Sequence, residues 1–293
     1  MTSRGWFLFA SMCVLWGIPY LLIKVAVAGV QPPVVVFART LIGAILLLPF
    51  AFRGGPPTWL RRHWKPLLAF TVLEIMGPWW LLSSAEQQLT SSTTGLLVAA
   101  TPIIAVLAAR ERPTLARLIG LVTGFGGVAL LAAPELTGGS PWAIAQVLLT
   151  AVCYATAPMI VARSMSDVPS LPMTAVCLTV AAIVYAPLAA LTWPDRVPSV
   201  QVLGALLALG AVCTGLAMAM FFALIREIGP TRAVVIAFVN PAVALAAGVA
   251  ILGEPLTTSI VVGFVAILVG SALATVTGRR VAEPAVVAAQ PDP

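Results

Sequence analysis

The sequence predicts an all-α membrane protein: ten transmembrane helices arranged as two inverted five-helix repeats. Three observations carry that expectation. Residues are 60% hydrophobic and only 9% charged, against about 25% charged in an ordinary soluble domain. The apolar residues gather into ten runs, each near the roughly 20 residues a helix needs to cross hydrocarbon. Proline, basic and glycine positions then recur between the two halves at a near-constant spacing. A transmembrane barrel would show short alternating segments instead.

The runs lie at 5–29, 34–52, 66–85, 91–109 and 115–133 in the first half, and at 141–162, 170–191, 200–224, 232–251 and 258–277 in the second. Span 1 has Arg4, an apolar stretch and Ala26-Val27-Ala28, which imitates a cleavable signal. Its apolar run is long and the repeat requires it, so it is read as a retained helix. The repeats occupy 5–133 and 141–277. Residues 278–293, ending in Val-Ala-Ala-Gln-Pro-Asp-Pro, are expected to form a short disordered cytoplasmic tail.

A formal charge of +6 could suggest nucleic acid, but the placement of the basic residues argues for topology. Thirteen of the sixteen lie at alternate span ends: Arg4; Arg53, Arg61, Arg62 and Lys65; Arg110, Arg112 and Arg117; Arg163; Arg226 and Arg232; Arg279 and Arg280. Lys24 and Arg39 fall inside spans, leaving Arg196 alone on the opposite side. By the positive-inside rule both termini are cytoplasmic, the parity an even number of spans requires. The four cysteines lie inside spans without metal-ligand spacing, so they are expected to be small buried apolar residues. His63, the only histidine, is expected to be a solvated loop residue.

A shift of 139 residues superposes Pro19 on Pro158, Lys24 on Arg163, Pro33 on Pro172 and Pro102 on Pro241. Beyond the last pair both halves reach an acid beside a proline, Glu111 with Pro113 and Glu254 with Pro255. Each then continues into a glycine pair seven residues apart, Gly120 with Gly127 and Gly263 with Gly270. Seven residues are close to two helical turns, so each pair marks one face where another helix can approach closely. Five spans per repeat is an odd number, so tandem copies enter the membrane from opposite sides, an arrangement that recurs in secondary transporters. Pro19, Pro102, Pro158 and Pro241 are expected to bend or break their helices. The carbonyls freed there are either buried in protein or face a wet path.

These features resemble a known family. Leu15-Trp16-Gly17, Lys24, Pro32-Pro33 and Arg39 look like the opening of EamA-type members of the drug/metabolite transporter superfamily. Thr101-Pro102 and Asn240-Pro241, each followed by an acid-proline turn and a glycine-spaced last helix, are similar to the close of the EamA repeat. The resemblance spans residues 5 to 277 and implies ten helices in two inverted repeats, with amino acids or other small metabolites as substrates, commonly exported. The first half departs where Arg110 and Arg112 flank Glu111, while the second half has Gly253 before Glu254.

Ionisable residues inside spans are the natural place for mechanism, since a charge at mid-bilayer costs about 2.5–3.5 kcal/mol even on insertion scales. Lys24 and Arg39 lie at matching depth, roughly 7–8 Å below the outer boundary at 1.5 Å per residue. They either form a cationic collar for a substrate carboxylate, or Lys24 snorkels and Arg39 bonds backbone carbonyls. Glu74 either pairs with Arg39 or takes up a proton when buried. Glu86 and Gln87, at the outer end of the same span, are expected to meet solvent. Trp16 and Trp79 are candidate pocket walls, with helix packing as the alternative. Thr101, Tyr154 and Asn240 are polar groups that could orient a ligand or join helices. Trp6, Trp59, Trp64, Trp142 and Trp193 fall where an interfacial belt is expected.

No HExxH, acid-rich metal motif or Ser/His pairing occurs in the spans, so the expectation is a non-enzymatic protein without cofactor or metal. The reading is a carrier of the inner membrane for a small-molecule substrate, with no nucleic-acid partner. A passive channel or facilitator is the alternative.

Overall fold

A computed structural model describes residues 2–52, 57–108, 114–229, 233 and 235–276. Arg53, Arg110, Glu111, Arg112, Pro113, Arg232, Arg279, Arg280 and the tail 278–293 lie outside the described residues. Within them the secondary structure is helical, with no strand. Eight helical stretches are long and apolar enough to cross a membrane: Ser3–Val27, Pro32–Ala51, Leu60–Ala85, Ser91–Ala108, Leu115–Pro134, Pro141–Ser164, Ser170–Leu191 and Val200–Ile228. Two shorter apolar helices, Ile236–Leu252 and Thr258–Ala274, follow. Large apolar side chains such as Phe7, Ile45, Ile183 and Val262 point outward, as a lipid-facing surface requires.

Several of these stretches are segmented, and the sequence says where. The first consists of α1 (Ser3–Gly17) and α2 (Pro19–Val27). Thr2 caps α1 by accepting from the Gly5 N–H, and α2 starts on Pro19, whose missing N–H suits a first helical position. α3 (Pro32–Ala51) also begins on prolines. The third stretch runs through α4 (Leu60–Thr71), a wide turn at Val72–Met76 and α5 (Gly77–Ala85). In that turn the Gly77 N–H reaches the Val72 carbonyl, five residues back. The proline at 78 cannot donate to its own preceding turn, which favours this local widening.

The fourth stretch breaks between α6 (Ser91–Val98) and α7 (Thr101–Ala108), so Pro102 stands in the first turn of a new helix. Then come α8 (Leu115–Gly138), α9 (Pro141–Ser164) and α10 (Ser170–Leu191). A second wide turn, Ala208–Leu216, separates α11 (Val200–Leu207) from α12 (Ala217–Ile228). α13 (Ile236–Leu252) ends on Gly253 with φ 67°, and α14 (Thr258–Val276) completes the bundle. Of the four prolines expected to bend or break their helices, two do not break theirs: α9 continues through Pro158 and α13 through Pro241. A proline removes one backbone hydrogen bond, and the flanking turns carry the helix across that gap.

α8 packs most closely on α14, and glycine is the reason. A Cβ on Gly120 would lie 2.7 Å from the Gly270 carbonyl oxygen, and one on Gly127 would lie 2.7 Å from that of Gly263. Gly120 therefore faces Gly270 while Gly127 faces Gly263, an antiparallel contact in which backbone rests on backbone. Gly17 of α1 similarly admits Val243 of α13, where an added Cβ would meet the valine Cβ at 2.5 Å. α3 packs along α10, α5 along α9, and α6 along α13. The cysteines Cys13, Cys153, Cys177 and Cys213 are free and buried, as expected.

At one end of the bundle Glu254, just past α13, closes onto the start of α6. Its Oε1 accepts from Ser91 N at 2.7 Å and Ser91 Oγ at 2.9 Å, while Oε2 accepts from Ser92 N at 2.9 Å and from the Ser92 hydroxyl. A carboxylate at a helix N-terminus also meets the positive end of the helix dipole. Burial alone would raise the Glu254 carboxyl, but the bonds from Ser92 and Ser91 outweigh it and hold it below the ordinary glutamate range. At the opposite end His63 is 7% exposed rather than solvated, and its Nε2 lies 3.2 Å from Asp167 Oδ2.

Two predictions follow from this packing. Gly127→Ala should destabilise the protein by about 1–3 kcal/mol through overpacking, read as a lower melting temperature in detergent. Gly126→Ala, where an added Cβ meets nothing within 4 Å, should not. For Glu254, a depressed folded pKa means that the latch contributes fully above the unfolded glutamate value near 4.3. That contribution is lost as pH falls through the folded value. Glu254→Gln should therefore speed amide exchange at Ser91 and Ser92 at neutral pH on the order of tenfold, the loss of a charge-assisted bond of about 1.5–3 kcal/mol. Wild-type protein should approach the mutant only in acid.

Candidate functional site

Arg39 is the best-placed of the predicted residues. It lies on α3, 7% exposed, with its guanidinium carbon 3.6 Å from the centroid of the Trp79 ring on α5. Its Nε donates to Thr214 Oγ1 at 3.0 Å, and that hydroxyl donates to the Leu209 carbonyl at 2.9 Å, spanning the second wide turn. Trp79 is buried. Stacking of a guanidinium on an indole is worth about 2 kcal/mol when desolvated, so ring and hydroxyl together fix the plane of the cation. Tyr154, Cys213, Tyr20 and Glu86 are the titratable groups within its electrostatic reach. Of the two roles open to Glu74, pairing with Arg39 is not made: no carboxylate lies within 4.0 Å of the Arg39 guanidinium among the described residues.

Lys24 does not join Arg39 in a collar. Its Nζ donates to the carbonyls of Glu86 and Leu89, both at 2.7 Å, which places the ammonium on the C-terminal end of α5 where the helix dipole favours a cation. Lys24 also lines a cavity of about 520 Å³ together with Thr90, Ser199, Gln201, Leu252 and Glu254. Arg39 and Trp79 are not part of that lining. The two cations therefore occupy separate places, one at a cavity mouth and one in the core.

Glu86 is the residue that sequence reasoning misplaced. It is 0% exposed rather than solvated, and neither carboxyl oxygen has a hydrogen-bond partner. Lys24, Glu254 and Arg39 are the charged groups around it. A signal was present: an acid one residue beyond a span, followed by apolar Leu89, at the depth where Lys24 must find oxygen. Gln146 was also missed; its Nε2 donates to Ser84 at 2.9 Å, tying α9 to α5.

The remaining candidates are dispersed. Glu74 sits in the first wide turn with Oε2 buried and unpartnered. Tyr154 is half-buried on α9 between the two larger apolar clusters. Trp16 packs with Phe221 of α12 at 4.6 Å between centroids and belongs to a third cluster, apart from Trp79. Thr101 donates to the Val98 carbonyl at 2.7 Å, the carbonyl that Pro102 leaves without its helical donor. With its amide nitrogen turned inward, Asn240 donates to Ile236 at 3.1 Å and across to Cys13 of α1 at 3.3 Å. Thr101 and Asn240 thus both bond backbone carbonyls, Thr101 the one below Pro102.

The comparisons with known proteins agree with this architecture. The chain is 26% identical over 275 residues to the uncharacterized transporter YvbV of Bacillus subtilis, covering 91% of this chain and 90% of that protein. It is 25% identical over 256 residues to the uncharacterized inner membrane transporter YedA of Escherichia coli K12, covering 84% and 82%. A solved crystal structure superposes with a TM-score of 0.65 at 20% identity, over 94% of this chain and 98% of that one, a likeness of fold alone. The EamA-like transporter family model matches twice, at residues 3–133 and 141–276, and the chain belongs to that family.

Proposed function

We propose that this protein is a secondary carrier of the inner membrane that exports amino acids or related small metabolites by alternating access, with both termini in the cytoplasm. The observation that carries the reading is Arg39: a buried guanidinium, stacked on Trp79, with no carboxylate within 4.0 Å among the described residues. Leaving a cation unneutralised in the core is costly. A substrate carboxylate would supply the missing charge, and a guanidinium binds a carboxylate in a planar, bidentate geometry. Trp79 and Tyr154 would then flank the rest of a small amphipathic molecule.

Ten helices in two inverted repeats form the scaffold of this reading, and three observations support it. The glycine contact of α8 with α14 is reciprocal, Gly120 on Gly270 and Gly127 on Gly263, as a two-fold relation between copies demands. The first wide turn, Val72–Met76, maps at the 139-residue offset to 211–215, inside the second at Ala208–Leu216. The two matches to the family model divide the chain at the same place. Transport by exchange of the two halves' conformations fits such a frame.

Counterflow in liposomes tests the proposal, with a radiolabelled mixture of amino acids as probe. A carrier accelerates exchange when unlabelled substrate is present on the far side; an open pore does not. Arg39→Ala should reduce counterflow on the order of tenfold or more, the loss of a charge-assisted bond of about 1.5–3 kcal/mol. The variant should still elute as a folded protein. Undiminished flux would remove Arg39 from substrate recognition.

A further inference from the structure

Glu86 offers the chemistry that the carrier reading leaves unused. It caps the end of α5 with its side chain fully buried and both oxygens unpartnered. A carboxylate so placed would be poorly solvated, whereas the neutral acid is tolerated there. The only ammonium nearby is committed elsewhere: Lys24 Nζ rests on the backbone carbonyls of Glu86 and Leu89, not on the Glu86 carboxyl. The charged and titratable groups facing this carboxyl are Lys24 and Tyr20 from α2, Arg39 from α3 and Glu254 from beyond α13. α9 contributes the neutral amide of Gln146 through Ser84. Lys24 and Glu254, both among the charged groups around this carboxyl, also line the cavity at this end of the bundle.

Resting on the carrier reading, we propose that Glu86 is a proton-binding site, loaded in this conformation and discharged when Lys24 leaves the two carbonyls to pair with its carboxylate. The step balances: the carboxyl O–H bond breaks, the proton passes to water in the cavity, and the new negative charge is met by the Lys24 ammonium. The Glu86 carboxyl carries no uncompensated negative charge in either state. The same ammonium closes α5 in one state and neutralises Glu86 in the other, so proton occupancy and the hold on the helix end change together. Glu254, released from Ser91 and Ser92, would widen the path by which the proton leaves.

Infrared difference spectroscopy on the purified protein in lipid tests the site without any substrate. At neutral pH the wild type should show the carbonyl stretch of a protonated carboxyl. The component of that band due to Glu86 should be lost in Glu86→Gln and kept in Glu74→Gln. Lys24→Met, which cannot pair with the carboxylate, should raise the midpoint at which the band titrates by at least a pH unit. A band unchanged in Glu86→Gln overturns the proposal, as does a midpoint unmoved in Lys24→Met. In liposomes an imposed pH gradient should drive the labelled amino acids above equilibrium with wild type, and Glu86→Gln should abolish that accumulation. Accumulation that survives the substitution overturns the coupling. Absence of counterflow in the wild type would instead bring down the carrier reading, while the infrared result still decides the proton site.

Discussion

A backbone carbonyl without a donor costs several kcal/mol in hydrocarbon, and that constraint shapes most of the polar chemistry inside this bundle. Prolines and wide turns leave carbonyls exposed, and side-chain donors are placed to meet carbonyls at or near these irregularities. Thr101 takes the Val98 carbonyl below Pro102. The Tyr185 hydroxyl donates to Met76 at the end of the first wide turn, and Thr214 donates to Leu209 across the second. Lys24 closes α5. Residues that look in sequence like ligands for a substrate are in several cases ligands for the chain itself.

That reassignment sharpens what is left. Once Lys24, Thr101 and Asn240 are committed to backbone, Arg39 is the predicted basic residue still without an opposite charge, and Glu86 the acid with both oxygens buried and unpartnered. Arg39 is oriented from two sides by Trp79 and Thr214, a degree of fixation that suits recognition better than mobility. Glu86 is shielded but not fixed by hydrogen bonds, which suits a group whose charge must change. The same physical cost of burying a charge thus separates a binding role from a titrating one.

The fold was largely legible because its signals are compositional or periodic. Apolar runs gave the helices, and the glycine pairs at 120/127 and 263/270 gave the closest contact in the bundle. The site was less legible because its geometry depends on which oxygen a long side chain reaches. Lys24 and Arg39 share a depth in the sequence yet lie on different partners, since depth fixes one coordinate and leaves rotation about the helix axis free. Glu86 was misread for a related reason: one residue past a span means solvent only if nothing folds over it, and here the carboxyl is fully buried, with Lys24, Glu254 and Arg39 as the charged groups around it. His63 failed in the same way, covered through Asp167 from a loop 104 residues away.

The halves agree in scaffold and differ in chemistry. Prolines recur at 19 and 158 and at 102 and 241, but of these four only the first-half pair stands at a helix interruption, at Ile18 and at Ala99-Ala100, while α9 and α13 run on. The groups with reactive or recognition potential, Lys24, Arg39, Glu74, Trp79 and Glu86, also belong to the first half, and the second contributes Thr214, Tyr154 and the latch of Glu254. On the carrier reading, two related halves need like backbones to exchange conformations, but a substrate site between them needs only one set of charges. A second buried cation and acid at the related positions would add desolvation cost without adding a ligand contact. Leu178 at the place related to Arg39, and Ile225 at that related to Glu86, are what this economy of charge predicts.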